Sequence, residues 1–295
     1  MSHVDTEIAS QPACWRSAIE LAADARGLPK PGERVAVIGC GTSLFMAQAY
    51  AVLRETAGKG ETDAFAASEF PAARRYDRVV ALSRSGTTTE VLTALGQVPA
   101  GTPTVALTAD PRTPVGRAAT ETVVLDFADE KSVVQTRFAT SALALLRAHL
   151  GEDVDTLGAQ AEQAVDAPLP TGAIEARQFT FLGHGWTVGL ANEAALKLRE
   201  ASNSWTESYP AMEYRHGPIS ITDAASCVWA FGPPPSGLAD DVARTGATLV
   251  VGDLDPLADL IRAQRLAVVL AGAKGLDPDQ PRNLSRSVIL PAGPA

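Results

Sequence analysis

The chain predicts an α/β fold of two halves, each a parallel sheet flanked by helices, and three observations predict it. Short valine-rich apolar runs alternate with stretches of helical spacing. The runs end in glycine or hydroxyl turns, which suits strands joined through helices. VIGCGTSLFMAQAYAVLRE, from Val37, and FLGHGWTVGLANEAALKLRE, from Phe181, each read as a strand, a G-x-G turn and an alanine-rich helix ending in Arg-Glu. That likeness points to a tandem repeat.

Taken in order, RVAVIG is a strand followed by a helix from Leu44 to Glu55, and DRVVALS is a strand followed by a helix from Thr88. TPTVALTAD is a strand running into a polar turn, and SVVQTRFATSALALLRAHL is a long apolar helix that closes the first half, residues 30–155. Residues 151–176 read as a helix and linker. The second half, residues 170–295, opens with the strand QFTFLGHG. GCGTSL and GHGWTV both lack the third glycine of a dinucleotide fingerprint, so no nucleotide cofactor is expected.

With 295 residues, 46% hydrophobic and 20% charged, the composition is that of a globular protein with room for two domains. The formal charge of −9 argues against a broad nucleic-acid surface, so an anionic ligand would be held by local dipoles and hydroxyls. Cys14, Cys40 and Cys227 stand apart, as do His3, His149, His184 and His216. This spacing suits a reducing compartment and offers no metal-ligand pattern. No apolar stretch reaches the roughly 18 residues of a membrane span, and MSHVDTEIAS lacks the blocks of a signal peptide. The expected location is the cytoplasm, with no membrane partner.

Chemistry first shows in ALSRSGTTTE. Ser83, Ser85, Thr87, Thr88 and Thr89 gather around Arg84 and Gly86 where a strand hands over to a helix. The first turn of a helix has unpaired N–H groups and the positive end of the dipole, so it attracts anions. Glycine lets the backbone approach a ligand, and hydroxyls reach the oxygens that the N–H groups miss. A plain N-cap and turn would also use Ser and Thr. Five hydroxyls with one glycine put a phosphate cradle ahead of that reading.

The second half differs in its helix, where Glu193, Lys197 and Glu200 are spaced to share one face. Exposed, they would be a salt-bridge stripe. The interleaved Ala194, Ala195, Leu196 and Leu198 imply partial burial, with the charged face on a cleft in which a carboxylate can serve as a base. Further on, His216 precedes Gly217 and Pro218 in a rigid turn that would fix an imidazole in one direction. Cradle, charged face and oriented histidine together suit acid-base chemistry on a phosphorylated small molecule.

GCGTS at 39–43, SRSGTT at 83–88, DEKSVVQTRFAT at 129–140, NEAALKLRE at 192–200 and EYRHGP at 213–218 occur in an order that resembles the double sugar-isomerase (SIS) domain proteins. That family includes the isomerase half of glucosamine-6-phosphate synthase and the amino-sugar-phosphate deaminase/ketose–aldose isomerase group. The resemblance implies two tandem SIS domains of flavodoxin-like type. It implies that Ser83, Arg84, Ser85 and Thr88 hold a sugar phosphate, with Thr42, Ser43, Ser132 and Gln135 lining the pocket. It also implies that Glu200 moves a proton between C1 and C2, that Lys197 and Glu193 support it, and that His216 opens the sugar ring in the neighbouring subunit of a homodimer. No metal or cofactor is implied.

Two departures from the synthase matter. Only about 30 residues precede the first strand, too few for a glutaminase domain, so ammonia from glutamine is not expected within this chain. In PRNLSRSV, Arg286 stands where the synthase has its Schiff-base lysine, and arginine stays protonated. Both departures favour a hexose or amino-hexose 6-phosphate isomerase or deaminase working through an enediol or enolamine. Two alternatives are a non-catalytic phosphosugar-binding regulator, against which Glu200, Lys197 and His216 speak, and a synthase-like subunit using external ammonia. A fused helix-turn-helix domain is not expected before Pro31.

Overall fold

The computed structural model of the chain describes residues 2–291; the end of the expected second half, residues 292–295, lies outside the described residues. Two compact units emerge. One is Cys14–Asp153 with the described residues from Asn283 onward, and the other is Val154–Arg282 with the described residues up to Ala13.

Two helices come first, α1 (His3–Ala9) and α2 (Gln11–Ala22). The Cys14–Asp153 unit continues with β1 (Val35–Gly39), α3 (Thr42–Thr56), β2 (Thr62–Ala66), β3 (Arg78–Leu82), α4 (Thr89–Gln97), β4 (Thr104–Thr108), α5 (Pro114–Ala118), β5 (Glu121–Val124) and α6 (Arg137–Leu150). The five strands form an all-parallel sheet in the order β2-β1-β3-β4-β5, that of flavodoxin-type doubly wound sheets. β1, β3 and β4 are buried along their whole length, which is why their sequences are continuous apolar runs without alternation. Ile38, Phe70, Tyr76, Val79, Val91 and Leu95 build one core cluster on this sheet. Arg54 is fully buried, and its guanidinium donates to Lys30 O at 2.7 Å, Thr62 Oγ1 at 2.8 Å and Gly60 O at 3.1 Å. Those acceptors offset its loss of water.

One expectation is corrected here. The helix expected from Ser132 begins only at Arg137. The buried Glu130 carboxylate accepts from Thr136 Oγ1 at 2.9 Å and from the backbone N–H groups of Thr136 and Arg137, at 2.5 and 2.8 Å. It caps the helix from outside, while Ser132 Oγ bonds Val134 O at 2.7 Å and holds the preceding residues in a loop.

The Val154–Arg282 unit contains α7 (Leu157–Asp166), α8 (Thr171–Glu175), β6 (Gln178–Gly183), α9 (Thr187–Ser202), β7 (Trp205–Pro210), β8 (Ser226–Phe231), α10 (Leu238–Thr245), β9 (Thr248–Val251) and α11 (Pro256–Ala273). Its strands form a parallel sheet in the order β7-β6-β8-β9, matching the first four strands of the other sheet in relative order. Among the described residues no helix is long and apolar enough to cross a membrane.

In both sheets the winding reverses beside the first strand, between β1 and β3 in one and between β6 and β8 in the other. Ligands of open α/β sheets sit beyond the carboxyl ends of the strands at such a switch point. GCGTS follows β1 and SRSGTT follows β3, so both motifs stand at the first unit's switch point.

Candidate active site

The turn after β1 is forced by its glycines. A Cβ on Gly39 would lie 2.7 Å from the backbone carbon of Ser43, and Gly41 takes φ +54° as the N-cap of α3. Thr42 and Ser43 open that helix and are buried. After β3, the loop folds on its own hydroxyls: Gly86 N–H donates to Ser83 Oγ at 3.2 Å and Thr87 N–H to Ser85 Oγ at 3.3 Å. Gly86, at φ +62°, lets the chain turn into α4, of which Thr88 is the N-cap. The Ser85 and Thr88 hydroxyls stand 3.4 Å apart. Hydroxyls and a helix N-terminus thus face one position, the geometry an oxyanion requires.

The loop before α6 closes the same side. Ser43 Oγ lies 3.5 Å from Gln135 Oε1, within reach of a hydrogen bond. Arg84 is only 3% exposed; it donates to Ser132 O at 2.8 Å and Arg286 O at 3.0 Å and lies 3.6 Å from Glu130. It therefore clasps the SRSGTT loop, the 129–136 loop and the C-terminal segment. Thr42, Ser43, Ser83, Arg84, Ser85, Thr88, Ser132 and Gln135 all gather in one unit. Glu130 and Ser287 join them without having been singled out in the sequence; Glu130 lies inside a motif that carries the resemblance, but Ser287 carries no local signal.

The acid-base candidates lie in the other unit. On α9, Lys197 is 1% exposed, with its ammonium 3.6 Å from Glu193 and in closer contact with Glu200. Glu193 is wholly buried, whereas the Glu200 side chain is 18% exposed. Of the two carboxylates, Glu200 is the one that reaches solvent. His216 ends a short 3₁₀ turn, Glu213–His216, and is exposed. Tyr214 anchors this turn in the core and hydrogen-bonds Thr222, while Arg215 donates to Asp241 and, at 2.7 Å, to Ser236 O. Gly217 follows at φ +135°.

Within this unit Glu200 and His216 are held apart. α9 runs back from the carboxyl end of β6 to the amino end of β7, which puts Glu200 beside the amino ends of the strands. His216 comes six residues after the carboxyl end of β7, so the two approach the sheet from opposite ends. Among the described residues no group of three or more His, Cys, Asp or Glu side chains could hold a metal ion. Among the described residues the three cysteines form no disulfide.

Residues 30–150 match the SIS domain family. The chain is 30% identical to glutamine–fructose-6-phosphate aminotransferase (isomerizing) of Gloeobacter violaceus, over 96% of this chain and 58% of that protein. It is 27% identical to the protein of the same name from Zymomonas mobilis, over 87% of this chain and 52% of that one. The chain spans about half the length of these relatives. Glucosamine-6-phosphate deaminase of Thermotoga maritima shares the fold at a TM-score of 0.79, with 24% identity, 98% of this chain and 100% of that one covered. The C-terminal domain of glucosamine-fructose-6-phosphate aminotransferase from Francisella tularensis does so at 0.78, with 22% identity and 95% and 98% coverage. Tagatose-6-phosphate ketose/aldose isomerase of Escherichia coli gives 0.77, with 17% identity and 98% and 97% coverage. The chain carries a SIS domain and is homologous to the isomerase half of glutamine–fructose-6-phosphate aminotransferase.

Proposed function

We propose that the chain is a phosphosugar isomerase or deaminase built of two tandem SIS domains, acting on a hexose or amino-hexose 6-phosphate. The observation that carries this reading is the set of hydroxyls converging at the N-terminus of α4, at the switch point of a sheet, in a chain homologous to an isomerase half. Ser83, Ser85 and Thr88 hold the phosphate, with Thr42, Ser43 and Gln135 beside them; Arg84 and Ser132 fix the surrounding loops. Glu200 takes the proton from one of C1 and C2 and returns it to the other through an enediol. Lys197, locked between Glu193 and Glu200, holds the base in place. If C2 bears an amine, the tautomerised ketimine takes up water and releases ammonia, leaving the ketose.

His216 opens the ring in a neighbouring copy's site. Its approach to the sheet from the end opposite Glu200 supports a homodimer in which each site draws on two chains. The relatives' name favours one rival, amination of a ketose phosphate with ammonia from elsewhere.

The test is to offer the purified chain glucose, galactose and fructose 6-phosphates and their 2-amino derivatives, with and without ammonium, following ketose formation and ammonia. Wild-type turnover that falls about 10²- to 10⁴-fold in Glu200→Gln, with unchanged ligand affinity, is the expected result. Binding without turnover across the panel would favour the regulator, and turnover of fructose 6-phosphate only with ammonium would favour the aminating rival.

A further inference from the structure

Successive residues of a 3₁₀ turn point about 120° apart, three to the turn. Tyr214, Arg215 and His216 therefore leave the Glu213–His216 turn in three directions. Tyr214 is wholly buried, in one core cluster with Leu182, Leu238 and Val242. Arg215 reaches to α10 and to the loop before it: its Nε donates to Asp241 Oδ2 at 2.5 Å and its Nη2 to Ser236 O at 2.7 Å. His216 is the one of the three that is exposed.

The backbone does little to stiffen this turn. Gly217 ends it at φ +135°, where a Cβ would meet nothing within 4 Å. On the Arg215 side a hollow of about 440 Å³, bordered by Ile219, Arg244 and Thr245, opens between the turn and α10, so a polar bridge spans there and not packed apolar groups. The far end of that bridge is itself held. Asp241 takes Arg244 on its other carboxylate oxygen, and its helix is anchored by Leu238 and Val242 in the cluster that holds Tyr214. Hydrogen bonds from Arg215 and Arg244 keep the Asp241 carboxyl below the usual carboxylate range, so the pair stays charged at neutral pH.

We infer that Asp241 is a positioning residue for His216: through Arg215 it locks the rotation of the turn, as Tyr214 does from the core, so that the imidazole meets a sugar ring in one direction. The inference rests on the reading of His216 as the ring-opening group given above. The Arg215 and Asp241 side chains are 27% and 23% exposed, and ion pairs in contact with solvent add little to folding. Displacing a reacting group by about an ångström, in contrast, costs up to roughly a hundredfold in rate. Loss of Asp241 is therefore felt in the reaction and barely in the fold.

The test is deuterium uptake at C1 of fructose 6-phosphate in D₂O, followed by NMR, beside 5-deoxyfructose 6-phosphate, which lacks the oxygen that closes the ring and so stays open. Asp241→Ala is expected to slow uptake by fructose 6-phosphate roughly tenfold, with KM and uptake by the open-chain probe both within about twofold of wild type. Arg215→Lys keeps the charge but cannot bridge Asp241 and the Ser236 carbonyl together, and is expected to show the same selective loss. Arg244→Ala touches Asp241 and not the turn, and is expected to match wild type. An equal loss on both probes by Asp241→Ala marks a merely structural role and overturns the inference. If wild type takes up deuterium into neither probe, or His216→Ala slows both alike, the ring-opening reading fails and the inference with it. If His216→Ala is selective and neither Asp241→Ala nor Arg215→Lys is, only the inference fails.

Discussion

Gly86→Ala adds one methyl group at the centre of the cradle. Gly86 sits at φ +62°, where an L-residue costs about 1–2 kcal/mol. Its new Cβ would lie 2.0 Å from Thr113 Oγ1 and 2.5 Å from Thr113 Cβ, far inside contact distance. Thr113 has little freedom to retreat, because its hydroxyl donates to Asp110 O at 2.7 Å and it caps α5, whose Val115 N–H in turn bonds Gly86 O at 2.9 Å. Overpacking of this kind costs about 1–3 kcal/mol, so the substitution is expected to destabilise by about 2–5 kcal/mol in all. Gly96→Ala is the matched control. It lies in α4 with nothing within 4 Å of its Cβ position and should be neutral or stabilising by about 0.5–1 kcal/mol. Urea unfolding of both variants reads the difference. Calorimetry should show the Gly86→Ala chain losing phosphate affinity by roughly tenfold or more as the Ser85 and Thr88 hydroxyls are pushed apart. A Gly86→Ala chain as stable as Gly96→Ala would refute the close approach on which the cradle's geometry depends.

Other outcomes follow from the same geometry. Ser85→Ala with Thr88→Ala should raise KM for a hexose 6-phosphate roughly a hundredfold or more, with circular dichroism unchanged; equal binding of hexose and hexose 6-phosphate would refute it. Arg84→Lys keeps the charge but cannot reach the Ser132 carbonyl, the Arg286 carbonyl and Glu130 together, so it should destabilise by about 1.5–3 kcal/mol in urea unfolding; a shift within error would remove its role as a clasp. Burial, helped by the charges of Arg54 and Lys59, holds His149 below the ordinary histidine range. The unfolded chain then takes up a proton that the folded chain resists, so this contribution to stability is present above about pH 6.5 and is lost as pH falls below it. The Tm of His149→Gln should fall less than that of wild type between about pH 7 and 5, and parallel pH profiles would count against it. Mixing inactive His216→Ala and Glu200→Gln chains should restore activity in part. No recovery in proven hybrids would confine each site to one chain.

Much of the architecture was legible because the signals are local. RVVAL and TPTVAL are strands with both faces covered, and such strands must be continuously apolar whatever the rest of the fold does. SRSGTT announced a strand-to-helix junction because Gly86 and the hydroxyls answer to the backbone immediately around them. Glu193, Lys197 and Glu200 shared a face by helical spacing alone, but spacing is the same for both carboxylates. Which is sealed and which meets solvent was decided by the packing of α9 on its neighbours, which closes over Glu193 and leaves Glu200 open. The start of α6 was misread because its cap, Glu130, lies six residues before Thr136, outside the spacing of an ordinary capping residue. The segment around Ser287 is the extreme case: it bonds Ser85 and Thr87 across about 200 positions of chain. Helical and strand periodicities span a few residues and dictate local conformation, whereas partners so far apart meet only once strand order and helix packing have settled which loops share an end of the sheet.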